Sequence, residues 1–527
     1  MIKTDIKVPH GYTKADILCA LEQRLPLSRD EISDIQIIRR SLNISDKSDI
    51  HYDMTVGLSL SAEREAGLLK MKKKVSEVRS FGIEIPPCRF NSPPLVVGAG
   101  PAGLFCALLL AEAGARPILI ERGLPVRERS ERVERFEKFG ILDTECNVQF
   151  GEGGAGTFSD GKLKVGGMDK YKHKVLTEFI SAGAEDDILY NTSAHLGTDR
   201  LRGIVEALRE RIVSLGGEVH FSTRLTDLII RDGRVKGCKA ENDGNEIIFD
   251  TENIVLATGH SAADIFEMLK SRGAIMEAKG FGIGVRIEHP REYINRLAYG
   301  DNAPRGIETA SYHLVTHLDN GRSVYSFCMC PGGSVVAATS NEGSVVTNGM
   351  SEYARGADNS NSALLVSVTP EDFGSDDVLA GIALQRAIER RAFSVAGGDY
   401  RAPAITLGEF MGKGSADFAS VKPSYPRGTV KASPEKYLPE FITSSLFASV
   451  SNFDDWMGGF YYPEAVLTGP ETRSTSPVRV LRGGDGAALG IEGLYPAGEG
   501  AGYAGGIVSS ARDGLIIAEK IIEKHII

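Results

Sequence analysis

A chain of 527 residues, 42% hydrophobic and 25% charged, has the composition of a soluble globular protein and length for two to four structural units. Its 60 basic and 70 acidic residues leave a net charge of −10, which argues against a large basic footprint for nucleic acid. Seven scattered cysteines make no disulfide framework and the opening residues lack a signal peptide's apolar core, so a reduced, cytoplasmic protein is expected.

Residues 1–85 read as a small α+β domain. Residues 2–8 alternate as a strand, 16–25 have helical spacing, and 35–42 and 50–60 are two further strands. Residues 61–78 read as a polar, lysine-rich helix before the Pro86-Pro87 junction. The basic stretch 70–74 has no interleaved aromatic residues, so it is expected to be a solvated helix face and not a nucleic-acid contact.

The next segment carries the strongest signal. Leu95-Val96-Val97 reads as a buried strand, Gly98, Gly100 and Gly103 fit G-x-G-x-x-G, and a small-residue helix follows over 104–113. A second apolar strand, 117–120, ends at Glu121, 18 residues after the last glycine. The glycine motif alone is weak; strand, tight turn, helix, strand and acid together are the dinucleotide-binding layout. Gly98 permits the turn, Gly100 lets the backbone approach a pyrophosphate, and Gly103 lets the helix pack on the strand. Free N–H groups at the helix start face the phosphates, and Glu121 accepts hydrogen bonds from a ribose. The uncharged run 90–111 is long enough to cross a bilayer, but its glycines and Pro101, with Glu112 and Arg116 just after, argue against a span.

Residues 127–139 form a charged amphipathic helix. The loop 149–162 then packs five glycines into 11 residues among Glu, Thr, Ser, Asp and Lys, a composition suited to backbone contact with a flat or anionic ligand. A helix over 199–215 leads into a β-meander (218–222, 225–231, 235–240, 247–249), which ends in a strand closing on Ala257-Thr258-Gly259. Residues 280–470 form an insertion rich in strand-like alternation, including 311–316 and 323–329, with a helix over 378–393. Gly280-Phe281-Gly282-Ile283-Gly284 precedes a strand-like run instead of a helix, so it reads as a glycine-bearing strand and not as a second phosphate loop. A strand reaching Gly498-Glu499 and a helix over 509–524 close the chain, the positive helix end facing the site of negative charge on a reduced ring.

In this order, Gly98 to Gly103 with Glu121, Ala257-Thr258-Gly259, and Tyr495 to Glu499 resemble the three FAD signatures of the glutathione-reductase-like flavoprotein superfamily. More narrowly, the chain resembles bacterial FAD-dependent dehydrogenases without a settled substrate, through Asn147 to Lys162, Cys328-Met329-Cys330-Pro331-Gly332-Gly333 and Gly469 to Arg479. The resemblance implies an α/β fold: a three-layer Rossmann-like FAD-binding domain (86–279 and 471–527), an inserted mixed β-sheet substrate or cap domain (280–470) and the small N-terminal domain. It implies non-covalent FAD, with pyrophosphate at Gly98, Gly100 and Gly103 and the adenosine ribose at Glu121; Pro101, Ala102 and Arg122 are further cofactor contacts. Leu225 would meet adenine through its backbone. Gly153, Gly154, Lys162, Thr258, Gly259 and Gly498 would add contacts, Glu499 would hold the ribityl chain, and Gly506 and Ile507 would lie near the flavin pyrimidine. Many relatives carry Asp where this chain has Glu499, a longer side chain able to make the same hydrogen bond.

The function implied is an FAD-dependent oxidoreductase acting on a small molecule, with NADH or NADPH as transient electron donor. Cys328 and Cys330 read either as a redox pair or as two small residues facing one way from a strand, and His260 either as a proton-transfer group or as a structural one. Neither reading assigns a catalytic residue, and no metal is expected. A flavoprotein of RNA modification and a non-catalytic flavin-bound interaction protein stay open as alternatives, as does the oligomeric state.

Overall fold

The computed structural model describes residues 1–71, 74–163, 167–414 and 418–527. At its centre is a five-stranded parallel sheet, ordered Leu494–Pro496, Ile254–Leu256, Leu95–Val97, Ile118–Ile120, Glu218–His220. Each strand is only three residues long and almost wholly apolar at its centre, as expected where both faces are covered. One face packs on helices Pro101–Glu112, Lys170–Ser181, Thr198–Ser214 and Ile507–Glu523. The other is covered by an antiparallel meander, Thr223–Arg231, Arg234–Asn242 and Asn245–Asp250, with helix Ala263–Ser271. Layers of helix, parallel sheet and meander make the Rossmann-like domain expected from the motifs, except that the run 218–222, expected as the first meander strand, is instead the parallel edge strand Glu218–His220 beside Ile118–Ile120.

The chain leaves this domain through Met276–Ala278 and returns through Val478–Val480, and the two segments pair as an antiparallel ribbon. Between them lies a mixed seven-stranded sheet in the order Val315–His317, Ser323–Cys330, Asn359–Val368, Phe281–Pro290, Val466–Glu471, Ala402–Thr406, Thr429–Lys431. Helices Ala380–Val395 and Glu440–Trp456 pack into its core. The glycine-bearing run at 280–284 is strand, as expected, with Gly282 opposite Ser367 and Gly284 opposite Leu365. Two expectations change. Residues 311–314 are not strand, and the last cap strand continues through Pro470 to Glu471, so the position expected for the boundary falls within a strand.

At the N-terminus, strands Asp34–Asn43, His51–Ser59, Ile2–Pro9 and Ser76–Glu77 form one antiparallel sheet over its own apolar core. The long lysine-rich helix expected over 61–78 is instead a short helix, Ala62–Leu69, followed by the edge strand Ser76–Glu77. Pairing with Ile2 and Lys3 outweighs helix propensity there. Of the basic stretch 70–74, Lys72 and Lys73 lie outside the described residues, while Lys74 donates to the Arg24 carbonyl. The sheet is tied to the rest of the chain at Arg40, whose N–H donates to the Tyr190 carbonyl and whose carbonyl accepts from Thr192. Among the described residues no helix is long and apolar enough to cross a membrane.

Candidate functional site

A cleft of about 380 Å³ runs from the C-terminal ends of the parallel strands to the face of the cap sheet. That is where ligands bind in open α/β sheets, and the volume lies within the range of small-molecule sites.

Its first wall is backbone. Gly98 leaves strand Leu95–Val97 with φ of 103°, and a β-carbon there would stand 2.4 Å from the Ala257 carbonyl oxygen. At Gly103 a β-carbon would come within 1.8 Å of the Gly98 oxygen, so the helix can lie this close to the turn only with glycine. Gly100 is different: the direction of its missing β-carbon points to Gly154, 3.8 Å away across the cleft. Helix Pro101–Glu112 begins there and helix Ile507–Glu523 begins at Gly506, both without a side-chain cap. Two helix starts with free N–H groups thus open on one cleft, an arrangement that fits a phosphate and an electron-rich ring. Gly100, Pro101, Ala102, Gly154, Thr258, Gly259, Gly506 and Ile507 all line it. Of the residues expected to hold a cofactor, Gly103, Gly153 and Gly498 do not line it: Gly103 sits in the first turn of helix Pro101–Glu112, packed on Gly98, and Gly153 and Gly498 shape left-handed turns behind.

Glu121 lines the cleft but its carboxylate is largely engaged. Oε2 accepts from the Ala99 N–H at 2.8 Å, and Oε1 from the Gly123 and Gly151 N–H groups at 3.0 Å each. A carboxylate has about four lone-pair sites, which leaves room for one ribose hydroxyl. Its main work is to lock the glycine turn to the 149–162 loop. Arg122 stacks its guanidinium on Phe150 at 4.5 Å and pairs with Asp264 at 2.5 Å. Leu225 and Thr223 line the same end from the meander.

The loop owes its shape to a residue that sequence reasoning missed. Arg129 is fully buried and donates to the carbonyls of Asn147 (2.9 Å), Val148 (3.0 Å), Gly151 (3.2 Å) and Glu152 (2.6 Å). Burial lowers it to about 10, leaving it cationic at neutral pH. The helix around it is so rich in charge that one inward arginine has no signature of its own. Asp160, also buried, is held by Arg355 at 2.7 and 3.2 Å, and Lys162 reaches it at 3.9 Å from the cleft wall.

The opposite wall consists of side chains, most of them from the cap: Phe327, Cys328, Asn348, Glu471, Arg473 and Ser474. Arg473 bonds Glu389 at 2.8 and 2.9 Å, Ser340 at 2.6 Å and Asn341 at 2.8 Å, so it positions this wall and has little left to offer a ligand. Arg286 lies fully buried beneath, 2.8 Å from Glu471. Burial raises Glu471 to about 8 against the pull of Arg286, and raises Glu499 to about 7 against the pull of Lys279. His260 lines the cleft beside Ser261, and burial holds it near 4, so its imidazole is neutral at pH 7.

Cys328 and Cys330 do not behave as two like-facing strand residues. The strand is irregular between Phe327 and Cys330, Cys328 has φ of 40°, and Cys328 lines the cleft while Cys330 is wholly buried. Left-handed backbone at a non-glycine residue is uncommon, and it re-aims the side chain.

Comparison with known proteins gives a consistent picture. Residues 92–135 and 126–282 match two FAD binding domain models, and residues 280–474 match the model "FAD-dependent protein, C-terminal domain-like". A Clostridium beijerinckii protein named "Uncharacterized protein" is 45% identical over 509 residues, 95% of each chain. Digeranylgeranylglycerophospholipid reductase of Methanosarcina acetivorans is 32% identical over 170 residues, 31% of this chain and 37% of that one. Among solved structures, the 3-ketosteroid-delta4-(5alpha)-dehydrogenase from Rhodococcus jostii RHA1 aligns at 13% identity over 83% of this chain and 99% of its own, with a TM-score of 0.36.

Proposed function

The chain belongs to the same family as the Clostridium beijerinckii protein, and from that premise and the form of the cleft we propose an FAD-dependent oxidoreductase that transfers electrons to or from a small molecule. One observation carries the reading: a backbone wall with two uncapped helix starts faces a cap wall of titratable side chains across a single cleft. The Gly98–Gly103 turn would hold the pyrophosphate, Glu121 the adenosine ribose, and Glu499 the ribityl chain. The start of helix Ile507–Glu523 would stabilise negative charge on the pyrimidine. A bound flavin supplies reversible two-electron chemistry. The neutral His260 can accept a proton, and Glu499, raised to about 7, can hold or release one near neutral pH.

The full chain should purify with visible flavin absorbance and about one FAD per chain, released by denaturation because it is held without a covalent bond. Anaerobic stopped-flow with NADH and NADPH side by side then identifies the donor. A protein that purifies colourless and takes up no FAD on incubation would end this reading.

A further inference from the structure

The chain holds seven free cysteines; among the described residues Cys328 alone of them lines the cleft, with the buried Cys330 two residues on. Residues two apart in an extended strand have α-carbons about 6.6 Å apart, near the upper limit for a disulfide. The irregularity at Cys328 breaks that spacing. The Cys330 S–H reaches the Cys328 carbonyl at 3.2 Å, which holds the buried Cys330 sulfur against the backbone of Cys328. Arg286 braces the turn, donating to the same carbonyl at 2.9 and 3.3 Å and to Asn348 Oδ1 at 3.2 Å.

We propose that Cys328 and Cys330 form a dithiol that reduces disulfide-bonded small thiols entering the cleft, Cys328 attacking and Cys330 resolving. The Cys328 thiolate attacks one sulfur of R–S–S–R; that S–S bond breaks, a mixed disulfide forms on Cys328, and the first thiol leaves with a proton from Cys330. The Cys330 thiolate then attacks the Cys328 sulfur. A Cys328–Cys330 bond forms, the second thiol leaves and takes a proton from water, and the substrate has gained the two electrons the dithiol lost. An added dithiol restores the pair. The exchange needs only the chain's own sulfurs; its coupling to turnover rests on the flavin reading above.

Electrostatics agree with these roles. Burial pushes the thiols of Cys88, Cys106, Cys146 and Cys238 up, as for inert structural cysteines. Cys328 goes the other way, drawn down first by the hydrogen bond from Cys330 and then by Arg286 and Lys162, while burial and Asp160 oppose. Cys330 is pushed up by the same hydrogen bond. Glu471 and Glu499 also face Cys328, and both are raised by burial, so protonation of either adds to the thiolate's preference.

The test uses the full-length protein, its FAD content measured first by absorbance, and Ellman's aromatic disulfide as probe at pH 6 to 8. Cys19, exposed on the N-terminal domain, is the internal control. Wild type should release two coloured thiols from the pair in a phase at least about tenfold faster than Cys19 at pH 6. Cys330→Ser should release one and trap the probe on Cys328, seen by peptide mass. Cys328→Ser should lose the fast phase while Cys19 reacts as before. Cys328 labelling no faster than Cys19, or Cys330→Ser trapping nothing, would overturn the proposal. Rapid exchange in a flavin-free protein would retain the dithiol and reject the flavin reading; full flavin occupancy with an inert Cys328 would do the reverse.

Discussion

The two walls of the cleft are built by opposite means. The nucleotide side is backbone: a left-handed turn at Gly98, a helix pressed on it at Gly103, and two helix starts without side-chain caps. The cap side is a set of side chains held by buried partners, with Arg286 on Glu471 and Arg473 on Glu389. A backbone wall works through absent β-carbons, so almost any substitution damages it. A side-chain wall works through charge and protonation, so its variants should shift pH dependence and reactivity while the fold stays intact.

The sharpest way to break this contrast is at two glycines three residues apart. Gly103→Val places its β-carbon against the Gly98 oxygen at 1.8 Å, a backbone clash that only movement of the helix relieves. We expect a loss above about 4 kcal/mol and no soluble folded protein, judged by expression and circular dichroism. Gly100→Val points into the cleft with only the Gly154 α-carbon 3.8 Å away. It should fold with a melting temperature within a few degrees of wild type but purify without flavin. Retention of full flavin occupancy in Gly100→Val would mean that the pyrophosphate lies elsewhere.

That contrast also explains what the sequence could tell. The backbone wall was legible because it requires glycine at fixed spacing after a three-residue apolar strand, and Gly98, Gly100 and Gly103 stand at those positions. The three meander strands from Thr223 to Asp250 and the closing strand at Leu494–Pro496 were legible through turn residues and small-residue strand ends, whereas the run 218–222, expected as the meander's first strand, belongs to the parallel sheet. Of the cap wall, Cys328 and the run Gly469 to Arg479 stood out only through the family resemblance, without a place or a role. Glu471 ends a strand of the seven-stranded sheet, Arg473 follows it, and Asn348 comes from the separate two-stranded sheet Ser334–Ala337 with Thr347–Met350, so only the tertiary fold of the cap brings them together. Arg129 was hidden by its own helix, where most of the other charges face water. The helix expected over 61–78 failed because the Ser76–Glu77 pairing with the first strand is non-local.

A smaller effect sharpens the side-chain half of the comparison. Burial raises Glu499 to about 7, whereas an unfolded glutamate titrates near 4.3. Between those values the folded state binds more protons than the unfolded one, so this group's contribution to stability falls as pH rises from about 4 to about 7 and then levels off. Glu499→Gln removes the titration and keeps the size. The difference in unfolding free energy, wild type minus variant, should decline across pH 5 to 7 by something on the order of 2 kcal/mol and stay flat from 7.5 to 8.5. Parallel curves across the whole range would place Glu499 in an ordinary solvated setting.

The smallest effect on the cleft should come from removing the N-terminal sheet. None of its described residues lines the cleft, so flavin binding should survive. The cut matters: Ile83, Ile85, Cys88 and Phe90 pack against the nucleotide-domain core, and the Arg89 N–H donates to the His525 carbonyl. A chain starting at Gly82 keeps those contacts, whereas one starting at Arg89 loses three of the four side chains. What Gly82 as a start still removes is Leu42, Ile44 and Ile50, which cover Ile294, Tyr299, Ala310 and Met329, together with the Arg40–Asp187 pair. Exposing that surface should lower the melting temperature by a few degrees and reduce solubility. Met329 sits between the two cysteines and loses its cover, so the fast thiol phase should change more than flavin occupancy does. Loss of flavin from a soluble, folded chain starting at Gly82 would instead make the small domain a support of the backbone wall, and the division between the two walls would no longer hold.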